Sequence, residues 1–459
     1  MPISAAGCIL LYLCCMILSF TIDASWGIYL YVINYYFNPQ IRWWYYFIPS
    51  SFSSMAISVS IIIAYFLRYS KYPSKLGDLP QTKWLAGFLF LIVITSLYAV
   101  WPEKHYEYLG YQIKLIIILI IAYKVIDSPA KFEKFLIIFI VGAVYIGWVS
   151  YATDRNEFGR IEDIGMVDSP DSNDTAAALT TAIPLLIYYI ISSKVWGKIF
   201  AFVGFAFVAN GIILINSRGA FLAVASSGLY MVVMILKSKI VSRKIKVRVL
   251  AGMIVALGLF VYLTDDLFWS RMGTLQDVKE RVVEGEDLGR MYFWLKTFDL
   301  LKDHPLGVGV SGYQYLSPTF LPKSLLSQSF GMRAVHSTYF QVLAEYGYFG
   351  FFLFAGLIIS NFRVMRRIKR KSSDSNDPML YCQAIAIESA FVAYLSAICF
   401  IDRLYSVVLY WSMLIIACFY NIYFIQPRNR EREHLTVPES INPQDMGKSI
   451  DLCDGNVKP

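Results

Sequence analysis

The sequence is poor in charged residues and lacks an organised cysteine pattern. Only 16% of its 459 residues are Asp, Glu, Lys or Arg, whereas soluble domains carry about 25%. The low charge argues against a soluble globular protein. The seven cysteines lie mostly within apolar runs, without the spacing of a disulfide framework or a CxxC metal site.

Long apolar runs dominate the chain instead. Apolar and aromatic residues make up 57% of it and the mean hydropathy is +0.52. A bilayer core requires runs of about 20 apolar residues, and the sequence predicts an all-α polytopic membrane protein with about 12 or 13 spans. Residues 7–37, interrupted by Asp23, form one long span or two short ones. The other spans begin near Phe47, Trp84, Leu109, Phe135, Thr175, Ile199, Gly219, Val249, Tyr339, Tyr381 and Leu404. No basic region precedes the first apolar run, so a cleavable signal peptide is not expected.

Basic loops predict the orientation, because Lys and Arg near the ends of spans stay on the cytoplasmic side. The net charge of +8, from 41 basic and 33 acidic residues, is explained by this bias. Nucleic-acid binding is disfavoured, because no basic and aromatic surface motif accompanies the charge. The predicted cytoplasmic segments are 68–83, 124–134, 194–198, 237–248, 361–371 and the polar tail.

The opposite, periplasmic side carries an acidic loop at 151–174 and one long segment. We therefore divide the chain into membrane helices at 1–264, a large periplasmic loop with catalytic elements at 265–335, membrane helices at 336–425 and a disordered cytoplasmic tail at 426–459. The long loop contains aromatic residues, Trp269 among them, and is expected to pack on the membrane domain.

Arg218 is the first candidate functional residue. It lies between two apolar runs on the outer side, where positive charge runs against the loop bias. A cation fixed there suits a phosphate or diphosphate, and Gly219 would let a ligand approach the backbone. The alternative is an arginine that extends to the lipid headgroups.

Arg290 begins a second candidate element. Met291, Trp294, Leu295 and Phe298 share one helical face, which predicts an amphipathic helix on the membrane that ends at Pro305. An arginine at a helix N-terminus opposes the helix dipole, whereas an anion bound there would explain it. An ion pair with Glu286 or Asp287 is the alternative.

Two further patterns follow this helix. Three glycines at 307, 309 and 312 lack the context of a nucleotide-binding loop and favour a tight crossing of two backbone segments. His336 follows Arg333 where the chain re-enters the membrane, and its imidazole would accept a proton from a hydroxyl near neutral pH. A structural or helix-capping histidine is the alternative, and the same interpretation is favoured for His105, His304 and His434.

The acidic loop ends in three aspartates, Asp168, Asp171 and Asp174. Clustered carboxylates are able to bind a divalent cation. Capping of the helix that starts near Thr175 is the simpler interpretation.

Several short motifs, taken in order, resemble the O-antigen ligase and polymerase superfamily, including its O-glycosylation ligase branch. The resemblance extends over residues 170–360 and rests on their order and sidedness. The motifs are Asp-Ser-Asn-Asp-Thr at 171–175, Ser-Arg-Gly-Ala at 217–220, Gly-Arg at 289–290 with Trp294, His-Pro-Leu-Gly-Val-Gly at 304–309, and His336 with Ala-Glu-Tyr-Gly-Tyr-Phe-Gly at 344–350.

The resemblance implies a glycosyltransferase of the C type in the bacterial inner membrane. It would transfer a glycan from a polyprenyl (undecaprenyl) diphosphate carrier to a glycan, lipid or protein acceptor at the periplasmic face, without metal or cofactor. Arg218 and Arg290 would bind the diphosphate, with Arg333 and Ser337 as further substrate contacts, and His336 would be the base. Ser337 departs from the family, which usually has Asn after the histidine.

Two alternative functions are also compatible with the sequence. A polymerase of the same superfamily would use the same donor. A transporter of lipid-linked glycans would line a central cavity with polar residues at mid-span, whereas the candidate residues cluster at one membrane face.

Overall fold

The computed structural model describes residues 2–49, 53–156, 161–162, 164–169, 171–263, 290–327 and 331–429. Within these ranges every regular element is a helix, and the only strand-like pairing is a bridge between Met166 and Ser169. The predicted all-α class is confirmed.

The described ranges contain sixteen α-helices. The first half contains α1 Ile3–Thr21, α2 Ser25–Phe37, α3 Ser54–Phe66, α4 Thr82–Thr95, α5 Pro102–Val125, α6 Pro129–Ala152, α7 Ser172–Thr180, α8 Ala182–Ser192, α9 Val195–Ile215 and α10 Arg218–Lys237. The second half contains α11 Arg243–Leu263, α12 Arg290–Asp303, α13 Gly312–Phe320, α14 Thr338–Asp374, α15 Pro378–Ala397 and α16 Val407–Tyr420.

Nine helices in the described ranges are long and apolar enough to cross a membrane. They are α1, α5, α6, α7 continued by α8, α9, α10, α14, α15 and α16. The remaining predicted spans correspond to the shorter helices α2, α3 and α4 and to α11, which begins with basic residues. The protein is therefore a polytopic helical membrane protein, and the total of 12 or 13 spans stays a prediction.

The connections predicted to be cytoplasmic meet at one end of the bundle. Lys131 at the start of α6 forms an ion pair with Asp23 between α1 and α2, with Nζ and Oδ2 3.0 Å apart. Lys124 at the end of α5 donates to the carbonyl of Ser74, and Gln426 after α16 donates to the carbonyl of Asp127. These three connections thus share one end of the bundle, and the candidate site described below lies at the predicted periplasmic end.

The bounds of some predicted segments were wrong. The basic stretch 361–371 is not a loop but continues α14, which is 37 residues long. Lys and Arg are good helix formers, and Lys369 pairs with the buried Glu388 of α15. Helix α5 begins at Pro102, well before Leu109, because proline is favoured in the first turn of a helix.

The predicted backbone crossing at the glycines is confirmed. Gly347 has φ 64° and ψ −167° and interrupts α14, which frees carbonyl groups in the preceding turn. The N–H groups of Val308 and Gly309 donate to the carbonyls of Ala344 and Glu345, each over 2.9 Å. A Cβ atom at position 347 would lie 2.2 Å from the carbonyl oxygen of Pro305. Only glycine fits there, and the crossing fixes the outer segment to the bundle.

His105 of α5 also stabilises this crossing. Its side chain is fully buried, and Nδ1 accepts a hydrogen bond from the N–H of Val310 over 3.2 Å. Nε2 lies 3.0 Å from the carbonyl oxygen of Ile92 and donates to it, since Nδ1 is the acceptor. His105 is a structural histidine, as the sequence indicated.

Candidate functional site

A cavity of about 110 Å³ lies at the predicted periplasmic end. The starts of α7, α10 and α12 and the connection between α15 and α16 surround it. Its walls include two cations, two amides, a hydroxyl and an aromatic ring, contributed by Arg218, Arg290, Asn173, Asn216, Ser217 and Phe400. The cavity brings together the two arginines singled out from the sequence.

Arg218 is the first residue of α10, after a connection of only two residues from α9. Asn216 makes the reversal in the left-handed conformation, with φ 56°. Gly219 and Ala220 also line the cavity. The N-terminus of a long helix therefore faces the cavity, and such an end attracts anions through its N–H groups and dipole.

Arg290 is the first residue of α12, as the sequence predicted. Burial lowers its pKa, and the neighbouring charges of Arg218 and Arg333 lower it further, while Asp402 and Asp171 oppose this effect. Arg290 therefore lies within electrostatic reach of both Arg218 and Arg333. Their repulsion of Arg290 favours occupation of the site by an anion.

Helix α12 packs through a face that the sequence analysis did not single out. Phe293, Leu300 and Leu301 are buried against the protein. On the predicted apolar face, Trp294 stacks on Phe340 of α14 with ring centroids 5.3 Å apart. The other members of that face, Met291, Leu295 and Phe298, are exposed. The helix is thus apolar on two sides, and one of them anchors Arg290.

His336 is held by a carboxylate that acts on the backbone. Its N–H donates to Asp402 Oδ2 over 3.0 Å, and the N–H of Ser337 donates to Asp402 Oδ1 over 2.7 Å. His336 has φ 56°, a left-handed conformation that is costly for most residues other than glycine. The two hydrogen bonds stabilise this conformation and fix the backbone from which the imidazole side chain extends.

The ring of His336 lies beside Phe293, with centroids 6.5 Å apart. Neither ring nitrogen is hydrogen-bonded to another residue in the described part of the chain. Burial lowers the pKa of His336 to about 4, Arg290 and Arg333 lower it in the same direction, and Asp171 opposes them. The imidazole is therefore neutral at pH 7, which is the state that a general base requires.

Arg333 and Ser337 complete the predicted set. The guanidinium of Arg333 lies 5.1 Å from the centroid of the Phe293 ring, and its backbone N–H donates to Ser317 Oγ. Ser337 is buried and precedes α14. All five residues predicted from the sequence thus lie around α12 and the start of α14. The predicted partners of Arg290, Glu286 and Asp287, lie outside the described residues, as do Trp269 and His434.

Sequence reasoning missed Asp402 and Arg403, which lie between α15 and α16. Burial raises the pKa of Asp402 to about 6, although the N–H groups of His336 and Ser337 and the charge of Arg290 lower it. Arg403 forms ion pairs with Asp174 over 3.2 Å and with Asp168 over 3.3 Å. An acid next to a base between two apolar runs is the signal that would have pointed to them.

The acidic loop has structural partners. Asp171 caps α7 by accepting from the N–H of Asn173 over 2.7 Å, so the capping prediction is confirmed. Asp168 also accepts from the N–H of Val407 at the start of α16. These contacts, with the Arg403 ion pairs, tie the acidic loop to the bundle. Among the described residues no group of three or more acidic, histidine or cysteine side chains is arranged to hold a metal ion.

Fold and site together define a polytopic helical membrane protein with a cationic cavity at one end of its bundle. Residues 203–355, which include Arg218, Arg290, Arg333 and His336, match the family model described as O-Antigen ligase. This part of the chain is similar to the O-antigen ligase superfamily, in agreement with the resemblance of its motifs. This supports a membrane glycosyltransferase of the ligase or polymerase type. A comparison with curated proteins finds no match.

Proposed function

We propose that the protein transfers a glycan from a polyprenyl (undecaprenyl) diphosphate carrier to an acceptor hydroxyl at the periplasmic face of the bacterial inner membrane. The observation that carries this proposal is the pairing of Arg218 and Arg290 in one cavity at the end opposite the basic loops. The C-terminus then lies in the cytoplasm, where the positive-inside bias puts the basic loops.

The diphosphate group fits the charges of the cavity. Arg218 and Arg333 both repel Arg290, and the start of α10 adds a positive dipole end. A bound diphosphate would relieve this repulsion and accept bidentate hydrogen bonds from the guanidinium groups. The same groups would stabilise the negative charge that develops on the leaving diphosphate, which a divalent ion would otherwise do.

His336 would act as the base on the acceptor. Its neutral imidazole takes the hydroxyl proton, and the acceptor oxygen forms a bond to the anomeric carbon of the donor sugar. The bond from that carbon to the diphosphate oxygen breaks, and the carrier leaves as the diphosphate. Arg333 and Ser337 adjoin His336 and are the proposed substrate contacts on this side.

The acceptor is a glycan, a lipid or a protein, and a polymerase would differ from a ligase only in this partner. The chemistry at the donor is the same in each case. No nucleic acid or cofactor enters the proposal. The cations lie at one end of the bundle, which favours a transferase over a transporter with a central cavity.

The test is transfer from purified undecaprenyl diphosphate-linked glycan to membranes of the source cells, with EDTA present. Arg218→Ala, Arg290→Ala and His336→Ala should each abolish transfer while the protein remains inserted. Arg363→Ala, which removes an exposed arginine from the opposite end of α14, is the matched control and should keep full activity.

Two results would contradict the proposal. Full activity of all three variants would dismiss the site. Loss of wild-type activity on addition of EDTA alone would favour a metal-dependent reaction.

A further inference from the structure

Asn216 has a buried amide oxygen for which the fold provides no partner. Asn216 lines the cavity together with Arg218 and Arg290, and the residue is only 6% exposed. Within the described residues Oδ1 accepts no hydrogen bond. Leaving such an atom unsatisfied costs about 1–3 kcal/mol, so an amide in this position requires a reason.

The backbone does not supply that reason. Asn216 follows the last turn of α9, and its N–H donates to the carbonyls of Ile212 and Ile213. Asparagine tolerates the left-handed conformation at a helix end, but glycine is the more common residue there. The turn therefore requires the backbone of position 216 and not its amide.

We propose that Asn216 recognises the sugar that is attached directly to the carrier diphosphate. The inference rests on the proposed function and deepens it. The Asn216 Oδ1 atom accepts a hydrogen bond from a hydroxyl or an acetamido N–H of this sugar.

The charge of the cavity distinguishes the sugar from the phosphates. An amide oxygen carries partial negative charge and is repelled by phosphate oxygens, which the arginines and the start of α10 attract. It needs a hydrogen-bond donor, and of the parts of the lipid-linked glycan only the sugar carries donors in number. Asn216 lies two residues before Arg218, the proposed ligand of the diphosphate. The first sugar is attached directly to that diphosphate and would therefore lie beside Asn216.

Two neighbours support this assignment. Ser217 is buried and makes no side-chain capping bond to α10, although serine is a favoured capping residue. Phe400 presents an aromatic ring in the same cavity wall. A hydroxyl beside an amide and an apolar ring offer both hydrogen bonds and a packing surface to a pyranose.

Asn216→Gly tests the proposal, because glycine keeps the left-handed backbone and removes the amide. The two probes are undecaprenyl diphosphate without sugar and the purified undecaprenyl diphosphate-linked glycan. The variant should bind the bare diphosphate within about twofold of wild type and the glycan-bearing donor about tenfold more weakly, as expected for one lost hydrogen bond. Its kcat/KM for transfer should fall by the same factor, and its Tm should not fall, because the variant removes an unsatisfied buried oxygen.

Two further variants make the test specific. Asn376→Gly is the matched control, because Asn376 has φ 51° and is exposed after α14 at the opposite end. It should change neither affinity. Asn216→Asp retains an acceptor oxygen and tolerates the left-handed backbone. Its affinity for the glycan-bearing donor relative to its affinity for the bare diphosphate should therefore be close to the wild-type ratio.

Equal weakening of both probes would overturn the inference, because Asn216 would then contact the diphosphate. Unchanged affinity for both probes would overturn it by leaving only the backbone role. If the wild-type protein fails to bind bare undecaprenyl diphosphate, the diphosphate site itself is wrong and both proposals fall.

Discussion

Two groups of arginines at the same end of the bundle differ in how their charge is balanced. Although burial lowers it, the pKa of Arg403 is raised overall by Asp168 and Asp174. The pKa of Arg290 is lowered by burial and by two neighbouring arginines. We call the first group, Arg403 with Asp168 and Asp174, the paired cluster, and the second, Arg218 with Arg290 and Arg333, the cationic cluster.

The comparison separates a structural role from a binding role. A buried ion pair becomes strongly destabilising when one partner is removed, because the other charge is left uncompensated. A group of like charges destabilises the protein without ligand. Binding of a ligand of opposite charge removes this destabilisation. Sites with such perturbed charges are good candidates for function.

The largest expected effect concerns the paired cluster. Arg403→Ala should lower the free energy of unfolding by about 3–5 kcal/mol, because Asp168 and Asp174 lose their common partner. Arg290→Ala should change it by less than about 1 kcal/mol, since it removes a repelled charge. Thermal unfolding in detergent measures both, and equal losses would remove the distinction between the clusters.

The next effect concerns the base at the edge of the cationic cluster. His336→Asn keeps a residue that tolerates φ > 0 and removes the imidazole, so transfer should fall by about 100-fold or more with little change in Tm. In the wild type the pKa of His336 is about 4 and that of Asp402 is about 6. The value of kcat/KM should therefore fall by no more than about tenfold as Asp402 becomes protonated near pH 6, and it should be lost fully only as His336 becomes protonated near pH 4.

The pH dependence of kcat, which reports on the protein with bound substrate, provides a second test. A bound diphosphate would neutralise the Arg290 and Arg333 charges that lower the pKa of His336, and the decline of kcat should occur at higher pH than that of kcat/KM. A complete loss of kcat/KM near pH 6.5 would show a histidine outside the influence of the cationic cluster.

A smaller effect is expected at Asp402. This residue precedes Arg403 of the paired cluster and accepts a hydrogen bond from the backbone of His336, beside the cationic cluster. Asp402→Asn keeps one acceptor oxygen but turns an N–H₂ group towards a backbone N–H, which costs about 1–3 kcal/mol. His336 then loses its fixed backbone, and kcat should fall about tenfold while the KM for the donor stays near the wild-type value. A change in KM alone would mean that Asp402 serves donor binding.

The smallest effect tests the geometry of the cationic cluster. Arg290→Lys keeps the charge and loses the bidentate hydrogen bonds, so the KM for the donor should rise about tenfold. Steady-state transfer at fixed ionic strength measures this, with Lys302→Arg at the exposed end of α12 as the control. Unchanged KM would mean that Arg290 acts through charge alone.

Much of the site could be predicted because its residues violate local expectations. Arg218 opposes the loop bias and Arg290 opposes a helix dipole, and both anomalies are visible in the sequence. Apolar periodicity predicted the helical class and the position of α12, because periodicity depends only on residues that are close together in the sequence.

The contacts that hold the site could not be predicted, because they join distant segments. Asp402 reaches the backbone of His336, and Arg403 reaches Asp168, more than 200 positions earlier. The length of α14 was missed because a basic stretch at the end of a span resembles a loop until Glu388 is seen beside Lys369. The orphan oxygen of Asn216 is likewise visible only when the surrounding helices are in place.

The central claim is that guanidinium groups hold the carrier diphosphate. Titration of bare undecaprenyl diphosphate against the purified protein in EDTA tests it most directly. Wild type and Arg403→Lys should bind, and the double variant Arg218→Ala with Arg290→Ala should lose at least tenfold in affinity. Equal binding by wild type and the double variant would contradict the claim.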